Sequence, residues 1–171
     1  MRADGTEARI AVKRWVFGRN PRMTALRVVV LILGATAVFG WILLPVRAHG
    51  ISMRPTYGDG TLLLVNRTAY RWTMPSRGDV VAIRMAGWRT VYVKRIVALP
   101  GERVAITNGI LLVNDQPVSE PYVKYRSRWQ TAPVTLAGDE YFVVGDNRGM
   151  AQTSHEFGKV KRDRIVGKVV F

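Results

Sequence analysis

The stretch TVYVKRIVALPGERVAITNGILLVN, residues 90–114, decides the fold. Val, Ile and Tyr recur in its first run with a period of two, which suits a strand rather than a helix. Pro100-Gly101 then marks a turn, ERVAIT (102–107) a second run, and ILLVN (110–114) a third. Asn108-Gly109 joins the last two. Both residues accept the positive φ that a type I′ turn requires, so the pair predicts a tight hairpin. The same pattern recurs outward: TLLLVN (61–66), DVVAIRM (79–85), EYFVV (140–144) and IVGKVVF (165–171). Turn signals separate these runs, at 75–79 and at Gly145-Asp146-Asn147. No strong helical period follows residue 48. The expected fold is mainly β, a curled antiparallel sheet or partial barrel, with the basic segment 115–135 as an excursion lacking a clear element.

Upstream the chain changes character. Residues Val28–Val46 carry no charge and are bracketed by Arg27 and Arg47. As a helix they span about 28 Å, close to the roughly 30 Å hydrocarbon core of a bilayer. The domain reading is therefore a basic segment 1–27, a transmembrane anchor 28–46 and a β domain 47–171. Seven arginines and lysines against two acids precede the run, so the positive-inside rule expects the N-terminus in the cytoplasm and the β domain outside. Two rival readings exist: a buried helix of a soluble protein, disfavoured because no polar face interrupts the run, and a cleaved signal peptide, with Val46 and Ala48 spaced for a cut before His49. The apolar run is longer than an ordinary signal-peptide core. The chain's 26 Lys+Arg against 12 Asp+Glu, net +14, call for an anionic partner. Beside a membrane span that partner is expected to be anionic lipid. Nucleic acid is not expected, because the basic residues are scattered and no stacking motif accompanies them.

The candidates for chemistry are few. There is no cysteine, and the histidines are His49 and His155 alone. No metal-ligand spacing is present, and no cofactor is called for. AHGISMRPTYGDG (48–60) places Ser52 in a glycine-bracketed turn just past the apolar run. That serine is open to three readings: a turn residue, a nucleophile served by a histidine, or one served by a lysine. A lysine serves as base only when neutral, which requires removal from water among apolar groups. In VYVKRIVAL, alternation puts Lys94 on one face with Tyr92, Ile96 and Ala98, and Val91, Val93, Arg95 and Val97 on the other. Periodicity alone favours the plainer reading, a strand-edge lysine that reaches out to water.

Four blocks in order narrow the choice: SMRPT (52–56), RGDVVAIR (77–84), YVKRIVALPGE (92–102) and GDNR (145–148). Together, behind one N-terminal apolar run, they resemble type I signal peptidase, the membrane-bound serine–lysine endopeptidase family that removes signal peptides from exported preproteins. The resemblance implies Ser52 as nucleophile and Lys94 as general base. It implies an oxyanion hole built on the Ser52 N–H. Some members supply a second donor from a hydroxyl at the position of Gly50, which here has no side chain. It implies shallow pockets for small substrate residues, walled by Met53, Tyr57, Tyr92 and Val93, with the substrate extended beside a strand edge. Asp146, Asn147 and Arg148 are implied as a turn bracing the lysine's surroundings.

The last block departs from the family pattern. In GDNRGMAQTSHEFG (145–158), Ala151 replaces the serine that usually orients the lysine. Thr153 stands for the aspartate and His155 for the arginine of an expected ion pair. Thr153 is the remaining candidate among these positions to hold Lys94. The resemblance thus implies a signal peptidase in a bacterial inner membrane, with a specialised pilin-maturation peptidase or a decayed membrane-tethered β binding domain as the alternatives. The oligomeric state is not legible.

Overall fold

The computed structural model describes residues 20–84 and 91–170. The basic segment up to residue 19, and the ends of two expected strands at Met85 and Thr90, lie outside the described residues. The chain divides into two units, Met1–Trp41 and Ile42–Phe171.

In the first unit, helix α1 (Pro21–Ala37) opens with Asn20 as N-cap, its side chain accepting the Arg22 N–H at 3.1 Å. Proline at the first helical position has no N–H to leave unpaired. A π-helical turn, Val38–Ile42, follows. The helical segment Arg22–Ile42 has a mean hydropathy of 2.1, and none of the residues of its most apolar stretch is buried in protein. It is about 31 Å long at 1.5 Å per residue. A helix apolar on every face needs an apolar surrounding, and these dimensions are consistent with a membrane anchor.

The anchor expected to reach Val46 ends earlier. Leu43–Arg47 forms strand β1, paired antiparallel with β2 (Leu62–Asn66) from Leu43↔Asn66 to Arg47↔Leu62. Pro45 could not have donated to a continuing helix. Leu44 and Val46 pack against a β-domain core instead. An unbroken apolar run carries no mark of where a helix hands over to a strand, and the helical segment gives way to β1 at Leu43.

Among the described residues the second unit holds nine further strands: β3 (Val80–Arg84), β4 (Val91–Ala98), β5 (Arg103–Thr107), β6 (Ile110–Val113), β7 (Gln116–Pro117), β8 (Val134–Thr135), β9 (Glu140–Val144), β10 (Gly158–Lys161) and β11 (Ile165–Val169). They form two antiparallel sheets, ordered β1-β2-β11-β3-β4-β9-β10 and β7-β6-β5-β8. The mainly β expectation holds. The β5–β6 hairpin turns on Asn108 (φ 50°) and Gly109 (φ 77°), as its sequence predicted. Three buried clusters fill the domain. One, with Met53, Leu63, Val65, Val80, Ala82 and Val93, lies under the Ser52 loop.

Two local readings needed correction. Alternation along β4 holds only to Ile96. Pairing with β9 then shifts between Ile96 and Ala98, a bulge that sends both Val97 and Ala98 into one core cluster. Segment 115–135 has little regular structure, but it is packed: Glu120, Val123 and Trp129 are buried. The chain there also adds the short strands β7 and β8 to the edges of the second sheet.

Candidate active site

Ser52 sits in a run of turns between β1 and β2, and Lys94 in the middle of β4. Strand pairing fixes the lysine: it lies opposite Val81 of β3. Its side chain is 4% exposed and reaches Ser52, with Nζ 3.0 Å from Oγ. Ile83, Tyr92, Val143 and Phe157 wall the crevice around it, with Glu156 at the rim. Burial pulls the lysine from its ordinary value of 10.5 down to about 8, and the Glu156 carboxylate pulls weakly the other way. An apolar seat lowers an amine's pKa because the cation loses hydration that nothing nearby replaces.

The Ser52 loop is clamped from the β9–β10 connection. Asn147 N–H donates to Ser52 O (3.0 Å), and the Asn147 side chain donates to Ile51 O (3.0 Å). Gly145 is needed at this contact, since a Cβ there would come within 2.2 Å of Ser52 O. Asp146 is buried and bridges outward. It accepts from Thr56 Oγ1 (2.5 Å) and from two nitrogens of Arg95 (2.8 and 2.6 Å). Arg95 also donates to Gly78 O (2.7 Å) and lies 4.1 Å above the Tyr122 ring. Arg148, 1% exposed, donates to Gly145 O (3.0 Å) and to buried Glu120 (2.5 Å).

His155 completes this support. It is buried against Trp129, edge-on with ring centroids 4.8 Å apart. Its Nε2 accepts the Gly145 N–H at 2.9 Å, so its own proton resides on Nδ1, which has no partner among the described residues. Burial first, then the charges of Lys94 and Arg148, hold this imidazole down at about 3. It is a neutral strut where the family pattern has an arginine.

Thr153 does not hold the lysine. It is exposed in the 3-10 turn Gln152–Ser154 and makes no hydrogen bond to Lys94. Ala151, also exposed, is not among the crevice walls. The turn carries those positions outward, and His155 and Glu156 are the residues that return to the site. Gly50, assigned to the oxyanion hole, has its N–H engaged by Asp59 Oδ1 at 2.7 Å. The Ser52 N–H makes no hydrogen bond among the described residues.

A cleft of about 480 Å³ opens beside Ser52. Met53, Tyr57, Tyr92 and Val93 line it, facing Leu44 and Val46 of β1. Beside it, β9 pairs only from Arg95 onward, so Val91–Val93 keep an unpaired edge on that side. Tyr92 donates to Glu156 (3.3 Å) across the mouth of the lysine crevice. His49 also borders the cleft, but it makes no hydrogen bond to Ser52. No cluster of metal-ligating side chains occurs among the described residues.

Comparison with known proteins gives a family. The family description "Signal peptidase, peptidase S26" matches residues 22–171. The chain belongs to the signal peptidase S26 family. A signal peptidase I of Leptolyngbya laminosa is 33% identical over 127 residues, covering 70% of this chain and 63% of that protein. Signal peptidase I T of Bacillus subtilis is 35% identical over 155 residues, 84% of this chain and 80% of its own length. The chain thus spans less than two thirds of the first relative. A crystal structure of a signal peptidase I from Enterococcus faecalis matches at a TM-score of 0.45 and 27% identity, over 56% of this chain and 97% of that one.

Several supports escaped the sequence reading. Glu156 was not singled out, His155 was noted only as standing for an arginine, and alternation put Arg95 on the face away from the lysine. The unusual histidine at the arginine position was the available signal for His155. The buried Glu120–Arg148 pair had none, because it joins segments 28 residues apart.

Proposed function

We propose that this chain is a membrane-anchored serine endopeptidase that cuts N-terminal signal peptides from exported preproteins with a Ser52–Lys94 dyad. The observation that carries this is a buried amine, lowered to about 8, at 3.0 Å from a serine hydroxyl on the wall of a cleft. At pH 7 such a lysine is neutral in about one molecule in ten, against roughly one in three thousand for a free lysine.

Neutral Lys94 takes the proton from Ser52 Oγ as the oxygen attacks the scissile carbonyl. The Ser52 N–H receives the developing oxyanion. Charged Lys94 then returns the proton to the leaving amine. In the second half, Lys94 takes a proton from water as it attacks the acyl carbonyl, then gives that proton to Ser52 Oγ as the ester bond breaks, which frees the acid product and restores the neutral amine. The substrate lies extended along the open edge of Val91–Val93, the strand-addition mode. Met53, Tyr57, Tyr92 and Val93 leave room for small side chains before the cut.

The helix Arg22–Ile42 anchors the enzyme in a bacterial inner membrane, with the basic N-terminus cytoplasmic and the β domain on the outer side against anionic headgroups. Cleavage of a preprotein in detergent tests the reading. Ser52→Ala and Lys94→Ala are each expected to lower kcat by roughly three orders of magnitude or more. Turnover retained by Lys94→Ala removes the dyad. No cleavage by the wild type, on a panel including a pilin precursor, leaves a binding domain instead.

A further inference from the structure

The loop that follows β2 holds large apolar side chains in water without an internal reason. Trp72 is 83% exposed and Met74 65%. The loop is nevertheless well tied. Arg71 N–H donates to Thr68 O (3.0 Å), Thr73 Oγ1 to Ala69 O (2.9 Å), and Tyr70 OH to Asp79 (2.8 Å). Pro75 is buried at its far end. An ordered loop that presents a tryptophan and a methionine together invites a partner that is apolar in part.

Below the loop is a cavity of about 280 Å³. Its lining includes Arg67, Arg71 and Arg162 with Thr68, Tyr70 and Ile165, and no carboxylate. Arg162 is held in place by its bond to Tyr70 O (2.9 Å) and its position 5.3 Å from the Tyr70 ring. Arg71 lies 5.4 Å from the Trp72 ring, which joins the basic and apolar halves. Asp79, which bonds Tyr70 OH, is itself engaged by Lys168 (2.6 Å).

Location identifies the partner. Arg67 N–H donates to the carbonyl of Ile42 at 2.8 Å, and Ile42 is the last residue of the apolar helical segment. Leu43 and Lys168 both pair with Asn66, so the start of β1 and the end of β11 flank the end of β2. Within the β unit the cavity is thus tied, through Arg67, to the residue at which that unit begins. Tryptophan and arginine side chains both favour the headgroup layer.

We propose that the Arg67–Arg77 loop docks on the bilayer surface, with a phosphate of an anionic phospholipid in the Arg67–Arg71–Arg162 cavity and Trp72 and Met74 among the acyl-chain ends. This rests on the reading of the helix as a membrane anchor. It adds a lipid site that the peptidase chemistry does not use.

The chain has no cysteine, so Trp72→Cys gives a single attachment point for an environment-sensitive fluorophore. Ile110→Cys, exposed in the β5–β6 hairpin, is the control. Full-length protein is placed in vesicles of phosphatidylcholine, or of phosphatidylcholine with phosphatidylglycerol, carrying a nitroxide lipid. The label at 72 is expected to be quenched in the anionic vesicles and the label at 110 not. Arg67→Gln, Arg71→Gln and Arg162→Gln combined are expected to weaken docking on the order of a hundredfold, about fivefold per arginine, and abolish the difference between vesicles. Cleavage in detergent by the triple variant, unchanged, shows that it folds. Equal quenching with or without the arginines, or none at 72, overturns the proposal. Relief of quenching by inorganic phosphate at matched ionic strength overturns it in favour of a free-phosphate site. Failure of the anchor reading is seen separately, as wild type that does not enter vesicles. Failure of the peptidase reading appears as wild type that does not cleave.

Discussion

Replacing Lys94 by methionine should destroy activity and stabilise the protein. The lysine's shift from 10.5 to about 8 measures what burial costs its charged form, roughly 3 kcal/mol. Methionine fills a similar volume without that cost, but leaves Ser52 without its partner, a loss of about 1 kcal/mol. A net gain of about 2 kcal/mol at pH 7 is expected, which is about 4–8 °C in Tm for a chain of this size. The pH dependence carries the diagnosis. Below pH 8 the lysine is charged in both folded and unfolded states, so the full cost is present. Between about 8 and 10.5 the folded protein has lost the proton and the unfolded chain has not, so wild-type stability rises with pH. The advantage of Lys94→Met should therefore shrink across that window. The assay is thermal unfolding of both proteins in detergent from pH 6.5 to 10.5. A variant no more stable than wild type at pH 7, or an advantage that does not change with pH, would refute the argument that burial lowers this lysine.

The supporting residues give further tests. Asp146→Ala strands the largely buried Arg95 guanidinium and should lower stability by about 3 kcal/mol or more, read as a fall in Tm. His155→Leu removes the acceptor for the Gly145 N–H. It should lower kcat about tenfold with little change in KM, and His155→Gln should recover part of it. Since His155 is held at about 3, wild-type stability should fall as pH drops from 6.5 toward 3, where only the unfolded chain takes the proton; His155→Leu should lose that component. Ala151→Ser should leave kcat/KM within about twofold, because position 151 is exposed and outside the lysine crevice.

The strands were legible because the β runs carry period-two patterns and their turns carry specific chemistry, as Asn108-Gly109 does. The Ser52–Lys94 pairing was legible only through four motifs in order. Alternation placed Lys94 on an apolar face, but nothing in the spacing of residues 52 and 94 brings them together. That contact is made by the β3–β4 pairing that seats Lys94 and by the Asn147 clamp on Ser52. The end of the anchor was hidden for the opposite reason: Leu43–Val46 is as apolar as the helix before it, and only pairing with β2 makes it a strand. Thr153 was misplaced because counting along a motif cannot reveal the 3-10 turn that swings residues 152–154 outward. His155 and Glu156 return to the site one residue later.

Direct titration of Lys94 tests the central claim. Protein carrying 13Cε-lysine is titrated by NMR in detergent, with Lys94→Arg identifying the resonance, and kcat/KM is followed over the same pH range. A half-point near 8, matched by the rise in activity, is the predicted result. A half-point near 10.5, or activity that ignores the titration, contradicts a neutral lysine as the base for Ser52.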